Sequence, residues 1–241
     1  MKKLALILLA VALIVTFASC SKSSSSAAPS TSASAAAAPA AESSSTTPST
    51  GTVDSEYDPN KTVDFTQQTS EENRVVTIGT IDKSLYKQPV FVTSFGQSTD
   101  AAMLDTVMKR IGVDYVYNAT ATADTIKGYK TIIIAVGAST KGLGAAGISE
   151  ADETARAKAI MEYINSNDVE VICCHIGGSA RRGTLSDLYS DMVMEKASLI
   201  VLKEDANFDY KFTKYAEEHN KPISLIYATK DALTVFTEIF Q

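Results

Sequence analysis

The stretch Thr131-Ile132-Ile133-Ile134-Ala135-Val136 decides the fold. Isoleucine and valine are β-branched and favour extended backbone. Successive strand residues point to opposite faces, so three isoleucines in a row leave neither face for water. A strand apolar on both sides belongs in the middle of a parallel sheet covered by helices on both faces. Further β-rich runs stand at 90–93, 113–117, 169–174, 198–202 and 223–227.

Between them lie helical patterns at 99–111, 123–127, 150–165, 185–196, 208–218 and 231–239. In the first, Ala101, Leu104, Met108 and Ile111 recur at three- and four-residue spacing, and so do Ala157, Ile160, Met161 and Ile164 in the third. That spacing makes one apolar face per helix. Strand and helix alternate, which predicts a single α/β domain over 88–241. It is a three-layer, doubly wound, mostly parallel sheet, Rossmann-like or flavodoxin-like. Residues 56–87 form a lead-in segment, with Arg74-Val75-Val76-Thr77-Ile78 read as an edge strand.

Upstream the pattern changes. Lys2 and Lys3 precede an apolar run from Leu4 to Val15, closed by Phe17-Ala18-Ser19-Cys20. A basic tip, a short apolar stretch and small residues read as an export signal over 1–19. The cysteine makes it look like the signal of a bacterial lipoprotein, with Cys20 lipidated, although Phe17 stands where leucine is usual. An ordinary cleaved signal and an uncleaved anchor are the alternatives. The apolar run is shorter than the ~18–20 residues that span a bilayer. Residues 20–55 are mostly Ser, Ala, Thr and Pro, a composition that cannot bury enough surface to order itself. They read as a disordered tether with a reach of roughly 30 Å. The expected location is the bacterial cell envelope, lipid-anchored and extracytoplasmic, with the membrane as a partner through the anchor.

The chain carries 22 basic and 28 acidic residues, a net charge of −6. Nucleic-acid binding calls for a basic face and is not expected. Of three cysteines, Cys20 belongs to the anchor, and Cys173 and Cys174 are neighbours on a strand. Side chains that point to opposite faces rarely bridge, so the two thiols read as core residues. No metal set and no cofactor are expected. Gly142-Leu143-Gly144-Ala145-Ala146-Gly147 matches the dinucleotide fingerprint in letters. The fingerprint needs its first glycine directly after the strand, whereas Gly142 lies six residues past Val136. The loop reads instead as a flexible glycine segment, a mobile flap at most.

In an open parallel sheet, ligands bind beyond the carboxyl ends of the strands. The loops there carry Ser94, Gln97 and Ser98 after the first parallel strand, and His175, Gly177, Gly178, Arg181 and Arg182 after the fourth. Glycines permit tight backbone geometry. A helix start and guanidinium groups suit an anion. The structural alternative is that one arginine pairs with a surface acid such as Asp187 or Asp191 and the other is solvated; at most one of the two adjacent side chains is expected to point inward. Ser149 and Thr184 each stand three residues before an acid, Asp152 and Asp187, and are read as capping-box variants.

The segments Val92-Thr93-Ser94-Phe95-Gly96-Gln97-Ser98-Thr99-Asp100 and His175-Ile176-Gly177-Gly178-Ser179-Ala180-Arg181-Arg182-Gly183 carry a resemblance to a known group. From about Gln88 to Gln241 the chain resembles an uncharacterised bacterial family of exported domains of unknown function. The resemblance implies an exported α/β domain and supplies no activity.

These readings converge on a membrane-tethered domain that binds a small anionic ligand, a carboxylate or phosphate, at the strand-end edge. No catalytic set is complete, so the balance is against an enzyme. The alternatives are an envelope hydrolase or transferase with His175 as acid/base, and an interaction module for another envelope protein.

Overall fold

The computed structural model describes residues 65–241; the expected signal, Cys20, the whole tether and the first part of the lead-in segment lie outside the described residues. Seven strands form one sheet: β1 (Val75–Ile78), β2 (Val90–Phe95), β3 (Tyr115–Tyr117), β4 (Thr131–Val136), β5 (Glu170–His175), β6 (Leu199–Lys203) and β7 (Ile223–Ile226). Their order is β1-β7-β6-β5-β4-β2-β3. All neighbours are parallel except β1, which runs antiparallel along β7 with Val75 opposite Ile226. The parallel strands thus follow the flavodoxin-like order, which resolves the two expected variants. The edge strand read at 74–78 is β1.

Six α-helices cover the sheet: α1 (Asp100–Ile111), α2 (Thr140–Ala146), α3 (Glu150–Asn165), α4 (Thr184–Lys196), α5 (Lys211–Glu218) and α6 (Ala232–Phe240). Every residue of β4 is buried. Ile132, Ile134 and Val136 join one core with residues of α3, α4 and α5, while Ile133 and Ala135 join another with α1 and α6. Each fully buried isoleucine side chain contributes roughly 1.5–3 kcal/mol, so this strand alone anchors both layers. The pair Cys173 and Cys174 follows the same alternation, one thiol in each core. Both are free, and burial pushes both thiols up in pKa.

Four local expectations change. Residues 123–127 form hydrogen-bonded turns, not a helix. The helix expected at 208–218 starts only at Lys211, as α5, and is preceded by a separate 3₁₀ turn at Glu204–Asn207. Most of the glycine loop after β4 is helix α2, capped by the Ser139 hydroxyl, which accepts the Gly142 N–H at 3.1 Å. Gly142 is needed there for packing, since a Cβ would overlap the Gln97 carbonyl oxygen. Ser149 caps α3 as expected, accepting from Asp152 N–H at 3.1 Å. Thr184 does not cap α4; Gly183 occupies that position and offers no side chain.

Among the described residues no helix is long and apolar enough to cross a membrane.

Candidate site at the strand-end edge

The chain leaves β2 toward β3 on one side and resumes at β4 on the other, so the strand order reverses between β2 and β4. Ligands in such sheets sit outside the carboxyl ends at that reversal. Here the two loops at the reversal bond to each other. Gly137 N–H donates to the Phe95 carbonyl at 3.0 Å, and Ser139 N–H to the Gly96 carbonyl at 2.8 Å. Gly96 has φ of +96°, and its hydrogen faces the Gly137 carbonyl where a Cβ would collide. The crevice at the reversal is therefore bridged by backbone.

On the α3 side, the fully buried Glu153 carboxylate accepts Gly96 N–H at 2.7 Å and the Gln97 amide at 3.1 Å. Arg156 pairs with Glu153 at 2.7 Å, reaches the Ala121 and Ser94 carbonyls, and lies over the Phe95 ring at 5.6 Å. This buried pair locks the β2 loop. It gives Gln97 a structural task, because its amide also donates to the Ala119 carbonyl at 2.9 Å. The sequence reading assigned no task to either Glu153 or Arg156. Their spacing of three on a helix was a visible signal, but it is common on exposed helix faces.

Ser94 is fully buried, and its hydroxyl finds no partner among the described residues. Cys174, Ala135 and the α1 core occupy the face to which its position on β2 assigns it. A ligand at the edge would not meet it.

His175 corrects a second expectation. Its ring is fully buried, stands edge-on to Phe212 with centroids 5.5 Å apart, and neither nitrogen has a hydrogen-bond partner among the described residues. Burial first, and the charge of Arg182 second, push its pKa down to about 4. A neutral ring sealed from solvent is not placed to exchange protons with a substrate.

Arg182 corrects a third. Its side chain is inaccessible, and its Nε and Nη2 bond to Asp187 at 2.7 and 2.8 Å. Nη1 and Nη2 bond to Asp209 at 3.0 and 2.8 Å. Nη1 also donates to the Ala206 carbonyl. The guanidinium lies over Phe208 and Phe212 at 4.8 and 5.2 Å. Hydrogen bonds to Asp187 and Asp209 hold its pKa above the ordinary arginine value despite desolvation. This side chain ties α4 to the turn after β6 and has no donor to spare for a ligand. Asp187 serves as its partner, which is why it does not act as a cap.

Arg181 points elsewhere. It is half-buried, packs its Cγ against Gly177, and its guanidinium makes no ion pair among the described residues. Beside it lies Asp100, the first residue of α1, which is 1 % exposed. Burial pushes the Asp100 carboxyl up in pKa, against the Arg181 charge and hydrogen bonds from Gly177 N–H and the Ser98 hydroxyl. Its Oδ2 is buried without a partner among the described residues. A Cβ on Gly177 would come within 2.6 Å of that oxygen, and one on Gly137 within 3.1 Å of the Ser98 hydroxyl. Glycine at these two places lets Asp100 and Ser98 lie against the backbone of β4 and β5. Gly178, at φ of +75°, is covered by the Lys203–Asp205 pair, whose atoms are 2.6 Å apart.

The edge thus gathers Ser98, Asp100, Gly177, Gly178 and Arg181. Of the residues expected there, Ser98, Gly177, Gly178 and Arg181 are present, and Ser94, Gln97, His175 and Arg182 are engaged or sealed inside. Asp100 was missed. An acid at the first helical position ordinarily reads as a helix-dipole partner, and only the fold carries it under the β5 loop. Among the described residues no group of three His, Cys, Asp or Glu is placed to hold a metal ion.

Comparison with solved structures finds similarity to a GDSL-like lipase from Bacteroides thetaiotaomicron. It is 13% identical, spans 58% of this chain and 72% of that one, and superposes with a TM-score of 0.26. A putative acylhydrolase from Bacteroides fragilis is 11% identical over 57% of this chain and 68% of that one, with a TM-score of 0.25. No curated protein matches the sequence. The family model described as a domain of unknown function (DUF6305) matches residues 87–240, from just before β2 to the end of α6, and the chain belongs to that family.

Proposed function

We propose that this is an extracytoplasmic, membrane-tethered binding domain that holds a small carboxylate- or phosphate-bearing ligand at the strand-end edge through Arg181. The observation that carries the reading is the division of labour between two adjacent arginines. Arg182 is saturated by two aspartates, while Arg181 makes no ion pair among the described residues and has only the charge of the buried Asp100 beside it. A guanidinium offers a planar fork that matches carboxylate and phosphate oxygens. Gly177 and Gly178 let Arg181, Asp100 and the Lys203–Asp205 pair pack against the backbone beside the guanidinium, and Asp100 beneath limits how much negative charge the edge accepts. A singly charged carboxylate therefore suits it better than a dianion.

The test is thermal shift of the mature protein against a panel of carboxylates, phosphates and sulfonates. A ligand at a hundred times its Kd should stabilise by about 2.7 kcal/mol. The Arg181→Ala variant should lose that gain and keep its own stability. Absence of a shift with every anion, or the same shift in the variant, would count against the proposal.

A second reading is an envelope hydrolase or transferase in which Asp100, not His175, transfers the proton. The specific support is a buried carboxyl with a raised pKa beside a serine hydroxyl at the strand-end edge, a combination that marks candidate sites. Hydrolysis of ester or phosphoester substrates that persists in Asp100→Asn would remove this reading.

A further inference from the structure

The outer face of α1 and the start of α6 enclose a groove of about 360 Å³. Met103 and Val107 of α1 and Leu233 of α6 give it apolar walls, and Met103 is 44 % exposed. Arg110 and Lys230 also line it, and no carboxylate does. Neither cation makes an ion pair among the described residues. Two acids near them in sequence are already taken. Asp105, earlier on the same helix, holds Lys109 Nζ at 2.7 Å and the Tyr115 hydroxyl at 2.7 Å. Asp231, next to Lys230, is gripped by Arg74 through two bonds of 2.8 Å and accepts Ala228 N–H at 2.8 Å.

Two unpaired cations at an apolar hollow, on a chain of net charge −6, define a complementary ligand. It has an apolar body and an anionic head. The volume sits at the low end of the ~300–1,000 Å³ usual for small-molecule sites, which favours one short chain over a whole lipid. From this complementarity we infer that the α1–α6 groove binds a free medium-chain aliphatic carboxylate, its chain against Met103, Val107 and Leu233 and its head on Arg110 and Lys230. This site is separate from the Arg181 edge and stands or falls on its own residues.

The experiment follows the methyl resonances of isotopically labelled methionine in the mature protein during titration with octanoate, butanoate and octanol. Octanoate should shift the Met103 methyl saturably. Butanoate should bind about tenfold or more weaker, because it lacks four methylenes to bury, and octanol should bind about tenfold or more weaker for want of a charge. Arg110→Gln/Lys230→Gln should weaken octanoate about tenfold or more and leave the protein folded, since both side chains are exposed. Arg181→Ala should leave octanoate affinity unchanged. No shift at Met103, equal binding of octanol and octanoate, or unchanged affinity in the double variant would overturn the inference. So would loss of binding in Arg181→Ala. Association with vesicles of phosphatidylglycerol but not with free octanoate would overturn it too, and would assign the face to a membrane surface.

Discussion

Replacing Arg182 with alanine should destabilise the domain by about 3–5 kcal/mol, the range seen when one member of a buried ion pair is removed. The size follows from what is left behind. Asp187, whose side chain is 6 % exposed, loses bonds of 2.7 and 2.8 Å and keeps only Lys211 Nζ, at 3.5 Å. Asp209 suffers less, because 29 % of its side chain already meets water. The Ala206 carbonyl loses a donor, and the faces of Phe208 and Phe212 lose the planar group lying on them. A domain of this size has a total stability of about 5–15 kcal/mol, so a melting temperature lower by roughly 10 °C is expected. Urea unfolding of the protein at pH 7, followed by circular dichroism, measures the difference. Arg181→Ala should cost under about 1 kcal/mol in the same assay. The triple change Arg182→Met, Asp187→Asn, Asp209→Asn should recover much of the loss, because no unpaired charge remains buried. If Arg182→Ala loses less than about 1 kcal/mol, or Arg181→Ala loses as much, the structural assignment of Arg182 is wrong. Loss of anion binding without loss of stability in Arg182→Ala would return that residue to the ligand site.

Four other outcomes are expected. His175 takes up a proton near 6.5 in the unfolded chain but only near 4 when folded. Its contribution is therefore complete above pH 6.5 and is lost as pH falls toward 4, by about 3 kcal/mol. Unfolding curves of His175→Phe across that window should lack this share, and an identical pH profile would refute it. Gly96→Ala should cost about 3 kcal/mol or more, since φ is +96° and the new Cβ meets the backbone of Gly137 and Ala138. Gly144→Ala in α2, where a Cβ has open space, should stabilise by roughly 0.5–1 kcal/mol. Glu204 is buried and accepts the N–H groups of Gln68 and Thr69 at 2.6 and 2.7 Å and the Thr69 hydroxyl at 2.5 Å. Glu204→Ala should release residues 65–70, read as lost amide-exchange protection at 68 and 69; retained protection would show that other contacts hold the segment.

The arginine loop shows why part of the site could be read in advance and part could not. Glycines, hydroxyls and arginines gathered after predicted strands, and the carboxyl edge of a parallel sheet follows from strand direction alone. Which side chains reach that edge depends on partners far away in the chain. Arg182 turns inward because Asp209 and the rings of Phe208 and Phe212 await it 26 to 30 residues later. His175 disappears because Phe212 covers it, and Gln97 is claimed by Glu153 from a helix 56 residues on. Asp100 stands at the strand-end edge only because the loop after β5 brings Gly177 beside it.

What the sequence determined by itself was local and periodic. The isoleucines of β4, the one-sided helices α1 and α3, the Ser149 cap and the opposed thiols of Cys173 and Cys174 were all legible. Residues three or two apart share a face whatever else the chain does. Tertiary structure decided the strand order, the closing of the β2–β4 crevice by paired loops, and the fate of each polar side chain at the edge. Right-handed crossovers permit more than one order of the same strands. A buried polar group settles with whichever distant partner satisfies it, because leaving it unpaired costs more than any local preference supplies.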